Sequence, residues 1–182
     1  MARKKPAKKK KSYSGSEDNK PNLFVAIYET ETDDEGNNND WRETTKDWRP
    51  RGIFTTRERA ENYSSWCPDS LCCPFGIEDG ELLFVIVVRY STGHTFGCTT
   101  GEGTVAAATK VPEVAKKLRN LCAMAENFTV EIPEDIRNIV ATPYGGDIHA
   151  HWLGYFERLE SVHVFQFAVN KSPDGEYFFE EH

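Results

Sequence analysis

Long apolar runs are scarce in this sequence. The longest, LLFVIVV at residues 82–88, is far below the roughly 20 residues needed to cross a bilayer, so no transmembrane helix is expected. No apolar segment follows the basic start MARKKPAKKKKS, so it does not read as a secretory signal, and the chain is expected in the cytoplasm. Cysteine is sparse and odd in number: Cys67, Cys72, Cys73, Cys98 and Cys122 are expected to be reduced thiols without a disulfide framework. They do not form the paired C-x-x-C knuckles of a zinc ribbon. The phosphodiesterase pattern of two H-x-[ST] motifs is also missing, as is a GK[ST] that would make the glycines at 93–103 a P-loop.

Charge is abundant but unevenly distributed. Residues 1–20 hold eight Lys/Arg against two Asp/Glu, net +6, while residues 21–182 hold 14 basic against 27 acidic groups, net −13. The chain therefore reads as a basic arm, 1–20, on an acidic domain, 21–170, with a loose polar tail at 171–182. The arm residues Arg3, Lys4, Lys5, Lys8, Lys9, Lys10 and Lys11 are candidates for nucleic-acid contact through backbone phosphate, which would be non-specific and salt-sensitive. A solvated tail, an anionic-membrane contact and a fold-back onto the acidic domain are the competing readings.

Within the domain, NLFVAIYET at 22–30 and WRPRGIF at 48–54 predict strands, separated by an exposed acidic loop at 31–40. Asp33, Asp34, Glu35, Asn37 and Asp40 in that loop lack EF-hand spacing. TTRERAENYSSW at 55–66 predicts a helix opened by a Thr55/Glu58 capping box. A loop at 67–80 precedes ELLFVIVVRY at 81–90, which is apolar on both faces and reads as a central strand. After it come a return strand at 103–110 and the clearest helix, 111–127, whose apolar stripe is Val111, Val114, Ala115, Leu118, Leu121, Cys122 and Ala125.

Strand, loop, strand and helix thus occur twice, which suggests a duplicated ββα unit. The C-terminal third adds a strand at 127–132, a short helix at 133–140, a Gly-rich turn at 143–147 and a strand at 161–170. The expected fold is a two-layer α+β domain with a mainly antiparallel sheet and two helices.

The stretch RYSTGHTFGCTTGEG, 89–103, draws two readings. Its glycines and hydroxyls suit a hairpin turn; they could also cover phosphate, making Ser91, Thr92, Gly93, His94, Thr95 and Gly97 candidate ligand residues. A dinucleotide fingerprint fails on context, because a strand follows where a helix should begin. His149 and His151 would share one side of a strand and could join Asp147 or Cys98 around a metal, but alternation alone gives the same spacing. No metal, cofactor or catalytic residue is assigned.

STGHTFG at 91–97 and WLGYFERLESVHV at 152–164 together resemble segments of small uncharacterised proteins of tailed bacteriophages. In those, a strand runs into an STG-[acid]-[ST]-FG loop and a W-x-GYFE-x-LE segment follows. The likeness spans residues 80–165, with His94 where the pattern has an acid. It implies a phage-encoded accessory protein inside the host cell and supplies no catalytic residues. Trp152, Tyr155, Phe156 and Glu157 of the second segment also read directly as a protein-interface patch, or as core at a strand corner. The expected function is a non-catalytic binding module whose acidic body engages a host or phage protein. The alternatives are nucleic-acid association through the arm and nucleotide binding or sequestration at 91–103.

Overall fold

A computed structural model describes residues 22–33, 42–94, 97–126, 129–150, 157–172 and 177–179. Its elements are β1 (Asn22–Asp33), β2 (Arg42–Phe54), α1 (Arg57–Glu61), β3 (Asp69–Cys72), β4 (Leu82–His94), β5 (Gly97–Thr109) and α2 (Pro112–Ala123), followed by β6 (Thr129–Val130), a 3₁₀ turn (Arg137–Ile139), β7 (Val140–Ala141), β8 (Ile148–His149), β9 (Glu157–Ala168) and β10 (Tyr177–Phe179).

The two hairpins β1–β2 and β4–β5 share one register. Phe24 faces Phe54, Val25 faces Ile53 and Ala26 faces Gly52; the ladder then slips, leaving Arg51 as the extra residue before Ile27 meets Pro50. In the second hairpin Phe84 faces Thr109, Val85 faces Ala108 and Ile86 faces Ala107, and the slip leaves Ala106 before Val87 meets Val105. Each helix then starts at the same point past its hairpin, Arg57 after Phe54 and Pro112 after Thr109. A bulge bends and twists its strand, so matching bulges give the two units matching curvature. The duplicated ββα plan is present down to this detail.

Alternation along the strands divides the core. Leu23, Val25 and Ile27 of the first unit and Leu83, Val85 and Val87 of the second meet in one buried cluster, so the units stack by equivalent faces. On the outer side of the first, Phe24, Ala26 and Phe54 pack on Ala60 of α1. On the outer side of the second, Ile86, Val88 and Ala106 pack on Ala115, Leu118 and Cys122 of α2. The fold is therefore α+β, with a helix on each outer face. Along β9 and the residue that follows it, Phe165, Phe167 and Val169 join the inner cluster while Val162 and Val164 join the cluster of α2, as strand alternation requires.

The main sheet runs β10-β9-β4-β5-β2-β1-β3. Its β2–β5 pairing is parallel and short, Arg42–Thr45 against Gly97–Thr100, and its other pairings are antiparallel. Beyond Thr45, β2 leaves β5 and crosses the inner face to the end of β9. There Asn170 N–H donates to the Ile53 carbonyl at 2.9 Å, and its side-chain oxygen accepts from Thr55 N–H. At the far end of β5, β7 pairs with Ala108 and Thr109, and the next residue, Thr142, exchanges two backbone bonds with Cys72 of β3. The wall β5-β2-β1-β3-β7 thus closes on itself, except where β5 has lost β2 and not yet met β7.

Several elements differ from expectation. Helix α1 is a single turn capped by Thr56, whose hydroxyl accepts from Arg59 N–H, not by Thr55, which Asn170 binds instead. It stops early because Ser64 and Ser65 turn onto the free edge of β1, where their hydroxyls accept from Ile27 and Glu29 N–H. β3 lies within the expected 67–80 loop, and residues 91–94 and 97–103 are strand, not loop. The predicted strand at 127–132 shrinks to two residues and the helix at 133–140 to a 3₁₀ turn. Within the expected loose tail, Tyr177–Phe179 pairs with Val164–Gln166 of β9. No helix among the described residues is long and apolar enough to cross a membrane.

Candidate functional site

The segments STGHTFG (91–97) and WLGYFERLESVHV (152–164) meet. Thr92 of the first lies opposite Glu157 of the second, Ser91 opposite Arg158 and Tyr90 opposite Leu159. Glu160 reaches across to accept a hydrogen bond from Gly101 N–H at 3.2 Å. The second segment thus braces the hairpin formed by the first. Ser91, Thr92, Gly93 and His94 are the last residues of β4 and Gly97 is the first of β5, with Gly93 paired to Cys98 and His94 to Gly97. Thr95, Trp152, Tyr155 and Phe156 lie outside the described residues, as do Arg3, Lys4, Lys5, Lys8, Lys9, Lys10 and Lys11 of the arm. The metal candidates Asp34, Glu35, Asn37, Asp40 and His151 do so too.

Two glycines of this hairpin, Gly101 and Gly103, serve packing. Gly101 has φ of 76°, and a Cβ there would collide with the Lys46 carbonyl oxygen. At Gly103 a Cβ would overlap the ring of Trp48, coming within 2.8 Å of Cζ3 and closer still to its neighbours. Both are points where β2 crosses β5, and glycine is what admits a second backbone or an indole that close. Around the crossing, Lys46 Nζ bridges Glu29 at 2.9 Å and Glu102 at 3.2 Å. Burial works against the charge on Lys46, but the two carboxylates outweigh it and raise its pKa. Burial, with Glu102 and Glu157 nearby, pushes the Tyr90 hydroxyl up to about 12. Glu157 Oε2 is buried without a hydrogen-bond donor among the described residues.

A different place has the shape of a site. Where the edge of β5 lacks a strand partner, Asp69 of β3 enters the gap and its Oδ2 accepts from Val105 N–H at 3.1 Å. Burial pushes the Asp69 carboxyl above its ordinary value of 3.8, with the Val105 bond acting the other way. Among the described residues no cation pairs with it. The gap opens into a cleft of about 280 Å³ lined by Asp69 and Ser70 on one side, Thr104–Ala106 on the other, and Pro143, Tyr144, Ile148 and His149 above.

Tyr144 is 64% exposed and its ring meets the His149 ring edge-on at 5.4 Å. The loop that carries it is braced internally. The Thr142 hydroxyl accepts from Gly146 N–H and donates to the Gly146 carbonyl, at 2.9 and 3.0 Å, and Gly145 turns at φ of 69°. Asp147 accepts from Ile132 N–H and from Arg137, each at 3.0 Å, so it is committed to the scaffold and not to a metal beside His149. Among the described residues no group of three or more His, Cys, Asp or Glu could hold a metal.

Across the same loop lies a larger cleft of about 520 Å³, bordered by Cys72, Glu134, Asp135, Arg137 and Gly146. Its two carboxylates disfavour an anionic ligand. Sequence reading missed Asp69 because the four residues of β3 sit between Pro68 and Pro74 and resemble a loop; the one available signal was an aspartate two residues before the apolar run Leu71–Cys73. No family model matches the chain, and neither does any curated protein or solved structure.

Proposed function

We propose that this chain is a non-catalytic binding protein whose acidic domain engages a basic protein partner at the opening between β3 and β5. The observation that carries this reading is the Asp69 carboxylate, set in a cleft between two strand edges beside an exposed tyrosine. The surrounding charge agrees with it: residues 21–182 carry a net −13, a field that steers cationic partners and repels phosphate. The cleft's volume, about 280 Å³, lies just under the roughly 300–1,000 Å³ of small-molecule sites, which suits one side chain better than a nucleotide. Gly101 and Gly103 are explained by the crossing of β2, which weakens the sequence argument for a phosphate loop there. The resemblance to phage proteins makes the proposed partner a host or phage protein met inside the infected cell.

The test is fluorescence anisotropy of a labelled Lys/Arg-rich peptide, a labelled Asp/Glu-rich peptide, duplex DNA and RNA at two salt concentrations. Each is titrated with the full chain and with a chain lacking residues 2–11. The reading requires that the basic peptide bind, that the acidic one not, and that deletion of the arm leave binding intact or strengthen it. Tighter binding of DNA or RNA that disappears with the arm would replace this reading with nucleic-acid association.

A further inference from the structure

We infer that the cleft at Asp69 is a recognition pocket for a single lysine or arginine side chain, the ammonium or guanidinium meeting the carboxylate and the alkyl stem lying against Tyr144. This deepens the basic-partner reading and rests on it for the source of the side chain.

Four observations lead here. The carboxylate is anchored at one end only: Oδ2 takes the Val105 amide, and Oδ1 is left to the cleft. A half-buried carboxylate with no cation beside it among the described residues carries a desolvation cost, which an arriving cation relieves; a neutral or anionic ligand would not. Ser70 and Thr104 place hydroxyl-bearing residues on the two walls, able to accept the remaining N–H groups of the ligand. The exposed Tyr144 ring, held edge-on by His149 on a loop tied down by Thr142 and Asp147, offers a flat apolar and π surface at the mouth.

The site is also preorganised. Its floor is the β3–β5 gap, fixed at one end by the paired bonds of Cys72 with Thr142, so no segment must fold for the pocket to exist. A carboxylate held by the Val105 amide loses little further entropy on binding. The larger cleft across the loop also carries two carboxylates, Glu134 and Asp135, beside Arg137.

The experiment is an NMR titration of the full chain with the N-acetyl amides of arginine, lysine and citrulline, the last being the uncharged counterpart of arginine. The Val105 amide and the Tyr144 ring are followed. Saturable shifts of both with arginine and lysine, and none with citrulline, are expected; Asp69→Asn, which keeps an acceptor for Val105 N–H, weakens binding at least tenfold. Tyr144→Leu weakens it less and preserves the charge dependence. Equal shifts with citrulline, or unchanged affinity in Asp69→Asn, overturn the pocket. The outcomes separate the two proposals. If the labelled basic peptide binds the wild type and Asp69→Asn alike, the basic-partner reading stands and this pocket does not. If the amides bind and no basic peptide does, the pocket stands and the reading falls.

Discussion

Replacing Gly103 by alanine tests whether the glycines of the 89–103 stretch exist for the crossing of β2. Gly103 is not among the residues with positive φ, so alanine brings no backbone strain, and by restricting the unfolded chain it would by itself stabilise by about 0.4–1 kcal/mol. Against this stands overlap with Trp48, whose indole is only 6% exposed and packed among Ile27, Val87 and Val105, with no room to withdraw. Overpacking of this kind costs about 1–3 kcal/mol. The net expectation is a loss of about 1–2 kcal/mol, measured by urea unfolding followed by far-UV circular dichroism. In a Trp48→Leu background, itself destabilised by a few kcal/mol, roughly 2–4, the same glycine-to-alanine change becomes neutral or stabilising. This reversal is the signature of a direct contact. An equal cost in both backgrounds, or no cost in the wild type, would show that Gly103 is not there to admit Trp48, and would reopen a ligand role for the stretch.

Other perturbations follow from the same contacts. Gly101→Ala should destabilise more than Gly103→Ala and without rescue by Trp48→Leu, because its φ of 76° adds about 1–2 kcal/mol and its obstacle is the Lys46 backbone; equal effects at the two glycines would contradict this. Asp69→Ala should cost about 1–3 kcal/mol in chemical denaturation by leaving Val105 N–H without an acceptor. Asp69→Asn should act in the opposite sense. The folded chain holds the Asp69 proton more tightly than the unfolded one, so the stability it contributes is full below about pH 3.8 and is lost as pH rises through the raised folded value. The stability of Asp69→Asn relative to wild type should therefore grow from pH 4 to pH 7, and a difference independent of pH would refute the burial of that carboxylate. A thiol reagent should modify exposed Cys67 in the native protein, while buried Cys73 and Cys122, the latter with its pKa pushed up to about 12 by burial, react only on unfolding; prompt labelling of Cys122 would contradict its packing against α2's partners.

The strands of both ββα units and the long helix were legible because their signal is local. Period-two runs such as LFVAI and LLFVIVV, and the stripe from Val114 to Cys122, declare buried faces without reference to the rest of the chain. The register match between the units could be suspected from the repeated strand-strand-helix plan, but the bulges at Arg51 and Ala106 depend on how each hairpin is bent. Residues 91–103 were read as a turn because glycine, serine and threonine normally punctuate strands. Here Gly101 and Gly103 are inside a strand, at the places where another strand comes too close for a side chain, and closeness across the fold leaves no local mark. The Asp69 cleft was invisible for a related reason. Its walls come from β3, β5 and the loop at 142–149, which only the closing of the wall through Thr142 and Cys72 brings together. Asp147, a metal candidate by its place beside His149, braces that loop through Ile132 and Arg137, a role that its sequence neighbours do not reveal.

The most direct test of the account is to map where a basic peptide lands. Amide shift perturbations of the full chain, recorded with an excess of the Lys/Arg-rich peptide, should centre on Ser70, Val105 and Tyr144 and vanish in Asp69→Asn. Perturbations centred instead on Thr92, Gly93 and Glu157 would place recognition at the end where segments 91–97 and 152–164 meet and would contradict the assignment of the opening between β3 and β5.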